Sequence, residues 1–394
     1  MNQTQKGIIS LIKSAILQTS QELPDQFDLE SAYALVKKHH MSALIFEGAL
    51  QCGVDPKSEI MMKLFRMSML SLRTSKMQMG QVEKITQAFD ANGIDYLLLK
   101  GCRMKSLYPK PELRVMGDAD VLIRMEQYDK IMHLLDSLDM VAVKESDYEL
   151  VWKNDALYLE LHKRILPSYH KDLYAETGDG WNLAVRHEGN RYFMTEEIEF
   201  VYMLSHFAKH YREGGIGCRH VVDLWVYLRA YPNMDQKIIL KELKKMHLLE
   251  FYVNIRYLIG VWFDGEPINE KTEIISDFIF SSGSWGAIEN QVLALAVRGR
   301  EYRTGKRYNE KIGYVLQRLF PTLDELKGIY PVLRKAPALL PCVWVVRIFD
   351  KIFLDRDAVS RQRKMINAYN PKNQESFHLA LKYVGLDYHF DDNI

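Results

Sequence analysis

The segment Gly117-Asp118-Ala119-Asp120-Val121-Leu122-Ile123 carries the strongest pattern in the chain. In a β-strand, side chains two residues apart point to the same face of the sheet. Asp118 and Asp120 therefore project together, about 6–7 Å apart along the backbone at ~3.3 Å of rise per residue. The opposite face is apolar and is formed by Ala119, Val121 and Ile123. The segment predicts a strand that packs against a core on one side and presents two carboxylates on the other.

A second pair of strands repeats this arrangement further along the chain. Tyr148–Lys153 and Ala156–His162 are separated by Asn154-Asp155, which predicts a hairpin turn. In the second strand one face is apolar, and the other carries Tyr158, Glu160 and His162. Glu160 joins Asp118 and Asp120 in one cluster if the two strands are neighbours in the sheet. His162 is then either a general base or a hydrogen-bonding partner that orients Glu160.

Three converging carboxylates need a counter-charge. At ~4 Å and an effective dielectric constant of ~20, each pair of carboxylates repels by about 4 kcal/mol. A hard divalent cation relieves this repulsion, and ligation by oxygen atoms suits Mg²⁺ or Mn²⁺. The alternative is that Asp118 and Asp120 cap a turn and pair with Arg114 or Arg124.

The rest of the chain reads mainly as helices. Residues 1–92 predict three helices, of which the second begins after Asp28 and the third runs from near Pro56 to Phe89. Residues 93–192 predict strands at 94–99 and 119–123, a helix at 126–138 and the hairpin. Residues 193–394 predict helices again, among them 218–230, 236–263 and 284–300. We expect an α+β fold in which a small mixed sheet, at 93–192, lies between an N-terminal helical segment and a large C-terminal helical region.

Composition excludes several classes of protein. The 394 residues are 47% hydrophobic, and 52 Lys plus Arg balance 51 Asp plus Glu. This is typical of a globular protein and does not favour a nucleic-acid partner. A modest basic cluster is expected to be a solvated face, and consists of Arg298, Arg300, Arg303, Lys306 and Arg307.

Cellular location is also bounded by the sequence. The four cysteines are scattered without a Cys-x-x-Cys spacing, and the first residues lack the pattern of a secretory signal. The longest apolar run, Ala336–Val346, is shorter than the ~20 residues that a membrane helix needs. We therefore expect a cytoplasmic protein without a membrane span.

The order of these features resembles a known superfamily. Lys100-Gly101 follows a buried strand, Arg114 precedes Gly117-Asp118-Ala119-Asp120, and Glu160-Leu161-His162 lies on a later strand. This order is similar to that of the nucleotidyltransferase superfamily of DNA polymerase β. It is most similar to an uncharacterised bacterial nucleotidyltransferase-like family. Gly101-Cys102 stands where the superfamily usually has Gly-Ser or Gly-Gly, so one hydroxyl contact to phosphate is missing.

The resemblance implies an activity and a set of ligands. Asp118, Asp120 and Glu160 would hold Mg²⁺ or Mn²⁺ and catalyse transfer of a nucleoside monophosphate from a nucleoside triphosphate, such as ATP, to a hydroxyl group. Pyrophosphate would leave, and the acceptor would be a small molecule. Lys100 and Gly101 would contact the phosphates. The alternatives are a nucleotide-binding or regulatory protein that has lost transfer activity, and a metal-dependent phosphohydrolase.

A second group of candidate residues lies on two later helices. His206, Lys209 and His210 share one helix face, and Arg219 and Asp223 open the next helix after a glycine-rich turn. The functional interpretation is that this helical hairpin, together with Arg114, contacts the triphosphate or the acceptor. The alternatives are a polar helix pair, with Arg219 and Asp223 as partners, and a zinc site at His206 and His210.

Overall fold

The computed structural model describes residues 1–146, 148–166, 177–284, 286, 290, 320–321, 323, 326, 330, 332–353 and 372–386. Within these residues the fold is α+β, as predicted. Helices precede and follow one mixed sheet.

Four helices precede the sheet: α1 Gln3–Leu17, α2 Leu29–Lys38, α3 Ser42–Gln51 and α4 Glu59–Ala91. The Asp28 side chain caps α2 by accepting the backbone N–H groups of Glu30 and Ser31, which confirms the predicted start of that helix. Helix α3 was not predicted. Seven of its ten residues are buried, so it lacks the alternation of apolar and polar faces that marks a surface helix.

The sheet contains the strands β1 Tyr96–Leu98, β2 Ala119–Ile123, β3 Val141–Glu145, β4 Glu149–Lys153, β5 Tyr158–His162, β6 Val185–Arg186 and β7 Arg191–Phe193. Their order is β3-β4-β5-β2-β1-β7-β6. The predicted strand β2 and the β4–β5 hairpin are confirmed. Strand β3 was missed because all five of its residues are exposed, so no buried face shows in the sequence.

Strand register brings the two predicted acidic segments together. Strands β2 and β5 are parallel neighbours, and Asp120 lies directly opposite Glu160. The other face of β2 and β5 packs against α4 and against helix α6, Tyr128–Ser137, in a core that includes Val121, Leu161 and Phe89. The polar face of the two strands is thereby left for the site.

Lys100 and Gly101 begin a short helix, α5 Lys100–Lys105, directly after β1. A side chain at Gly101 would meet the Met116 sulfur at 3.2 Å, so the absence of a Cβ lets α5 approach the segment that leads into β2. Gly101 therefore has a packing role besides the predicted approach to phosphate.

The helices after the sheet are α7 Glu196–Arg212, α8 Cys218–Ala230, α9 Gln236–Lys245, α10 Leu249–Ile259, α11 Glu270–Ser282, α12 Val332–Lys335, α13 Leu340–Phe353 and α14 Lys372–Val384. The single helix predicted over 236–263 is wrong. The chain turns at His247, whose φ is 54°, and a π-helical turn at Gly260–Asp264 follows α10. Most of the predicted helix 284–300 and the whole basic cluster at 298–307 lie outside the described residues.

One hydrophobic core joins the helices on both sides of the sheet in sequence, and includes Ile8, Leu44, Phe207, Phe251 and Phe263. The boundaries predicted near residues 92 and 192 remain a prediction. In the part of the chain that the structure describes, no helix is long and apolar enough to cross a membrane.

Candidate active site

A cavity of about 300 Å³ lies where the polar face of the sheet meets α7 and α8. Its wall contains every predicted site residue except Asp223: Lys100, Gly101, Arg114, Asp118, Asp120, Glu160, His206, Lys209, His210 and Arg219. Residues separated by more than a hundred positions in the sequence therefore meet in one place.

The cavity floor holds the acidic residues. Asp120, Glu160 and His162 each offer a ligand atom within 4.8 Å of the others, and they are the one such group of potential metal ligands among the residues that the structure describes. Asp118, at the end of the segment before β2, lines the same cavity but is not part of this compact group. Within the described part of the chain, His206 and His210 do not belong to a group of three potential metal ligands, so the zinc site considered from the sequence is not supported.

The three carboxylates differ in their pKa values. Burial and the neighbouring Asp118 and Asp120 raise the pKa of Glu160 to about 8. Burial and Asp120 also raise the pKa of Asp118. Burial opposes ionisation of Asp120 as well, but Lys100 and His162 outweigh it and hold the pKa of Asp120 well below its usual range. One carboxylate is thus neutralised by its neighbours, and two are left without adequate counter-charge.

Asp120 owes its low pKa to two contacts on one oxygen. His162 Nε2 lies 2.8 Å from Asp120 Oδ1, and Lys100 Nζ lies 3.3 Å from the same atom. The sequence suggested that His162 is a hydrogen-bonding partner of Glu160. In the structure it lies 3.7 Å from Glu160, so it is chiefly a partner of Asp120. The alternating pattern placed His162 on the correct face but could not separate these two acceptors.

Lys100 connects the floor of the cavity to α7. Besides Asp120, its ammonium lies 2.8 Å from His206 Nε2, and His210 Nε2 lies 2.9 Å from that same nitrogen. Burial and the charge of Lys100 keep the pKa of His206 well below 6.5, so this imidazole is neutral. Since an ammonium group can only donate, His206 Nε2 accepts the hydrogen bond from Lys100.

Arg114 and Asp223 form a buried pair beside the cavity. The guanidinium donates to Asp223 Oδ1 over 3.1 Å and to Oδ2 over 2.9 Å, and Tyr108 donates its hydroxyl to Oδ1 over 2.7 Å. Asp223 therefore has Arg114 as its partner, not Arg219. Arg124 pairs with Asp95, so neither arginine pairs with Asp118 or Asp120.

Lys105 fixes the segment between α5 and β2. Its buried ammonium donates to the Ser75 hydroxyl and to the carbonyl oxygens of Pro111 and Arg114, over 2.6–3.1 Å. Arg219 donates to the carbonyl oxygen of Val115 in the same segment. The sequence did not single out Lys105, because a lysine in a short helix normally reaches solvent.

The far side of the cavity is formed by Tyr148 and Lys209. The Lys209 ammonium lies 5.3 Å from the centre of the Tyr148 ring, and the edge of that ring packs on His162. Burial lowers the pKa of Lys209. Tyr148 and its neighbour Glu149 were read from the sequence only as strand residues.

One of three comparisons with known proteins gives a match. A family model described as "Uncharacterised nucleotidyltransferase" matches residues 25–264, which include the whole sheet, helices α7 to α10 and every cavity-lining residue except Ser284. No curated protein and no solved structure gives a match. The matched region covers more than half of the chain, and the chain belongs to this uncharacterised nucleotidyltransferase family.

Proposed function

We propose that the protein transfers a nucleoside monophosphate from a nucleoside triphosphate to a hydroxyl group of a small-molecule acceptor, with release of pyrophosphate. Family membership supports nucleotidyl transfer in general. The observation that carries the specific proposal is the juxtaposition of Asp118, Asp120 and Glu160 on one cavity wall, where the pKa values of two of them are raised.

The donor set suits a hard divalent cation. Carboxylate oxygens are the ligands that Mg²⁺ and Mn²⁺ prefer. Burial and, after it, the negative charge of neighbouring carboxylates raise the pKa values of Asp118 and Glu160, and such a cation would offset that negative charge. Asp118, Asp120 and Glu160 would hold it. When bound, it would polarise the phosphate and stabilise the negative charge that develops during the displacement.

The protein's own groups have distinct roles in this proposal. A bound cation would favour the ionised form of Glu160, whose pKa is raised to about 8 without it, and the carboxylate would then be able to take the proton of the acceptor hydroxyl. Lys100, Lys209 and Arg219 line the cavity and supply positive charge for the triphosphate. The Arg114–Asp223 pair holds the segment that carries Asp118 against α8 and so fixes the position of that carboxylate.

A labelled-nucleotide assay tests this function. The native protein is incubated with each α-labelled nucleoside triphosphate, Mg²⁺ or Mn²⁺ and a pool of small metabolites. We expect a labelled adduct and pyrophosphate, and a loss of at least about a thousandfold in Asp118→Asn and Asp120→Asn. Asp129→Asn, which removes an exposed carboxylate on α6, is the matched control.

Three outcomes would count against the proposal. Equal turnover by the native protein and both cavity variants would show that Asp118 and Asp120 are not needed for catalysis. Nucleotide binding without pyrophosphate release would favour a catalytically silent protein. Release of phosphate without an adduct would indicate a phosphohydrolase.

A further inference from the structure

Lys100 has one charged and one neutral partner in the cavity. Its ammonium lies 3.3 Å from the Asp120 carboxylate and 2.8 Å from the His206 imidazole. Asp120 is 2% exposed and His206 is 6% exposed, so both contacts are shielded from bulk water. The ammonium thus supplies positive charge at a carboxylate that the proposed function assigns to a divalent cation.

His206 is suited to hold an ammonium without cancelling its charge. A neutral imidazole nitrogen accepts a hydrogen bond from Lys100, whereas a carboxylate at this position would neutralise it. His210 Nε2 lies 2.9 Å from the same nitrogen, and the two rings pack edge-on with their centres 4.2 Å apart, which holds the orientation of the His206 ring. The charge of Lys100 is left for Asp120 or for an incoming anion.

Two cations at one buried carboxylate repel each other. At an effective dielectric constant of ~20, a unit charge and a divalent charge about 4 Å apart repel by about 8 kcal/mol. The Lys100 contact with Asp120 therefore opposes occupation of that carboxylate by a metal ion. The contact with His206 does not involve the Asp120 carboxylate, so the ammonium can keep this partner when it moves away from Asp120.

We propose that Lys100 is a tethered counter-cation of Asp120 and that His206 is the residue that positions it. In the nucleotide-free protein the ammonium balances Asp120. When a divalent cation enters with the nucleoside triphosphate, the ammonium leaves Asp120, stays hydrogen-bonded to His206 and meets the phosphates. This inference rests on the proposed function, because it assigns Asp120 to the metal.

Titration of the full-length protein with Mn²⁺ alone tests the competition. We expect Lys100→Met to bind Mn²⁺ at least fivefold more tightly than the native protein, because the competing charge is gone. Lys144→Met, which removes an exposed lysine on β3, is the matched control and should bind like the native protein. Equal affinity of the native protein and Lys100→Met would overturn the inference while leaving the metal site intact. Absence of Mn²⁺ binding by the native protein would refute the metal site itself, and the inference with it.

Lysine labelling of the native protein gives a test that does not depend on a variant. Brief acetylation followed by peptide mass spectrometry is carried out with and without Mn²⁺. We expect at least a threefold increase in labelling of Lys100 when Mn²⁺ is present. Lys105, which is buried with three acceptors, and the exposed Lys144 should not change. Unchanged labelling of Lys100 at saturating Mn²⁺ would contradict its release from Asp120.

The positioning role of His206 is tested by two substitutions. His206→Gln keeps a side-chain acceptor, whereas His206→Phe removes it. We expect His206→Phe to raise KM for the nucleotide about tenfold, the effect of one hydrogen bond to a charged group, with a smaller change in kcat. His206→Gln should restore KM to within threefold of the native value. Equal defects in both variants, in kcat and KM alike, would show a merely structural role.

Discussion

Two buried charged clusters lie side by side in this protein, and they differ in how completely the protein satisfies them. In the first, Arg114 and Tyr108 together supply three hydrogen bonds to Asp223. In the second, Asp118, Asp120 and Glu160 face a cavity. Burial and the charge of Asp120 raise the pKa values of both Asp118 and Glu160. The first cluster is balanced by the chain itself, whereas in the second only Asp120 has charged partners that outweigh its burial, and Asp118 and Glu160 lack an adequate counter-charge.

This difference separates a structural role from a functional one. A buried ion pair with complete hydrogen bonding holds its segments together, and losing one partner leaves an isolated buried charge. A group of carboxylates held together against their mutual repulsion destabilises the fold unless something else binds there. We therefore expect substitutions in the two clusters to change stability in opposite directions.

The largest expected effect on stability is at the balanced cluster. Asp223→Asn removes the charge that compensates buried Arg114, and we expect the free energy of unfolding to fall by about 3–5 kcal/mol. Urea denaturation followed by circular dichroism measures this loss. The matched control is Lys110→Met in the segment that carries Arg114, because Lys110 pairs with Glu47 and its side chain is 46% exposed. Its loss should be about 1 kcal/mol or less, and equal losses in the two variants would contradict the structural role of the cluster.

His39 is a buried neutral group whose hydrogen bonds are also supplied by the chain, and it predicts a pH dependence of stability. His39 donates from Nε2 to the Phe280 carbonyl oxygen and accepts the Cys218 N–H at Nδ1. Burial lowers the pKa of His39 to about 4 from an unfolded value of 6.5. Between these pH values the unfolded chain binds a proton that the folded protein does not, so stability falls as the pH falls.

The His39 contribution is about 3 kcal/mol and is lost progressively from pH 6.5 to pH 4. Urea unfolding across this range, on the native protein and on His39→Gln, measures it by difference. The variant should show a shallower loss, although His206 and His220 still contribute to both curves. Parallel curves would show that His39 is not held neutral in the fold.

The cavity cluster should respond in the opposite direction. The folded protein keeps a proton on Glu160 up to about pH 8, whereas the unfolded chain releases it above about pH 4.5. Native stability attributable to Glu160 therefore falls as the pH rises between these values. Glu160→Gln removes the cost, and we expect it to be at least about 2 kcal/mol more stable than the native protein at pH 8.5 and equal to it at pH 4.

Unfolding by urea at the two pH values tests this sign. Glu145→Gln on the exposed strand β3 is the control, and its stability should follow that of the native protein. If Glu160→Gln is less stable than the native protein at pH 8.5, the carboxylates are not held together under repulsion.

The smallest expected effect on stability comes from adding Mg²⁺, which would supply positive charge at the carboxylates. Mg²⁺ at ten times its dissociation constant should stabilise the native protein by about 1.4 kcal/mol, by binding the folded state alone. Calorimetry with Mg²⁺ and then with excess chelator should show a midpoint that rises and returns. The same addition should leave Asp118→Asn and Glu160→Gln nearly unchanged, and an equal rise in the variants would place the ion elsewhere.

The sequence predicted the position of the acidic residues on their strands more completely than the contacts of the residues around them. The alternation in 117–123 and 156–162 defines the faces of two strands, and a two-residue period allows no other arrangement of their side chains. It does not state which strands are neighbours. Strand β3 and helix α3 were missed because the first has no buried face and the second has almost no exposed one.

The contacts that balance the site depend on distant parts of the chain. Arg114 meets Asp223 across more than a hundred residues, and Lys100 meets His206 across a similar separation. No local pattern marks such a pair, because each residue looks like an ordinary surface charge within its own helix or loop. The resemblance placed these residues near one site, and the coordinates show which of them are partners.

A crystal structure of the protein with Mn²⁺ and a non-hydrolysable nucleoside triphosphate tests most directly whether the unbalanced acids bind the reactive metal. Anomalous scattering should place manganese against Asp118, Asp120 and Glu160, with the triphosphate in the same cavity and the Arg114–Asp223 pair unchanged. Manganese outside this cavity, or a triphosphate bound there with no metal at the three carboxylates, would contradict the claim that these acids bind the metal.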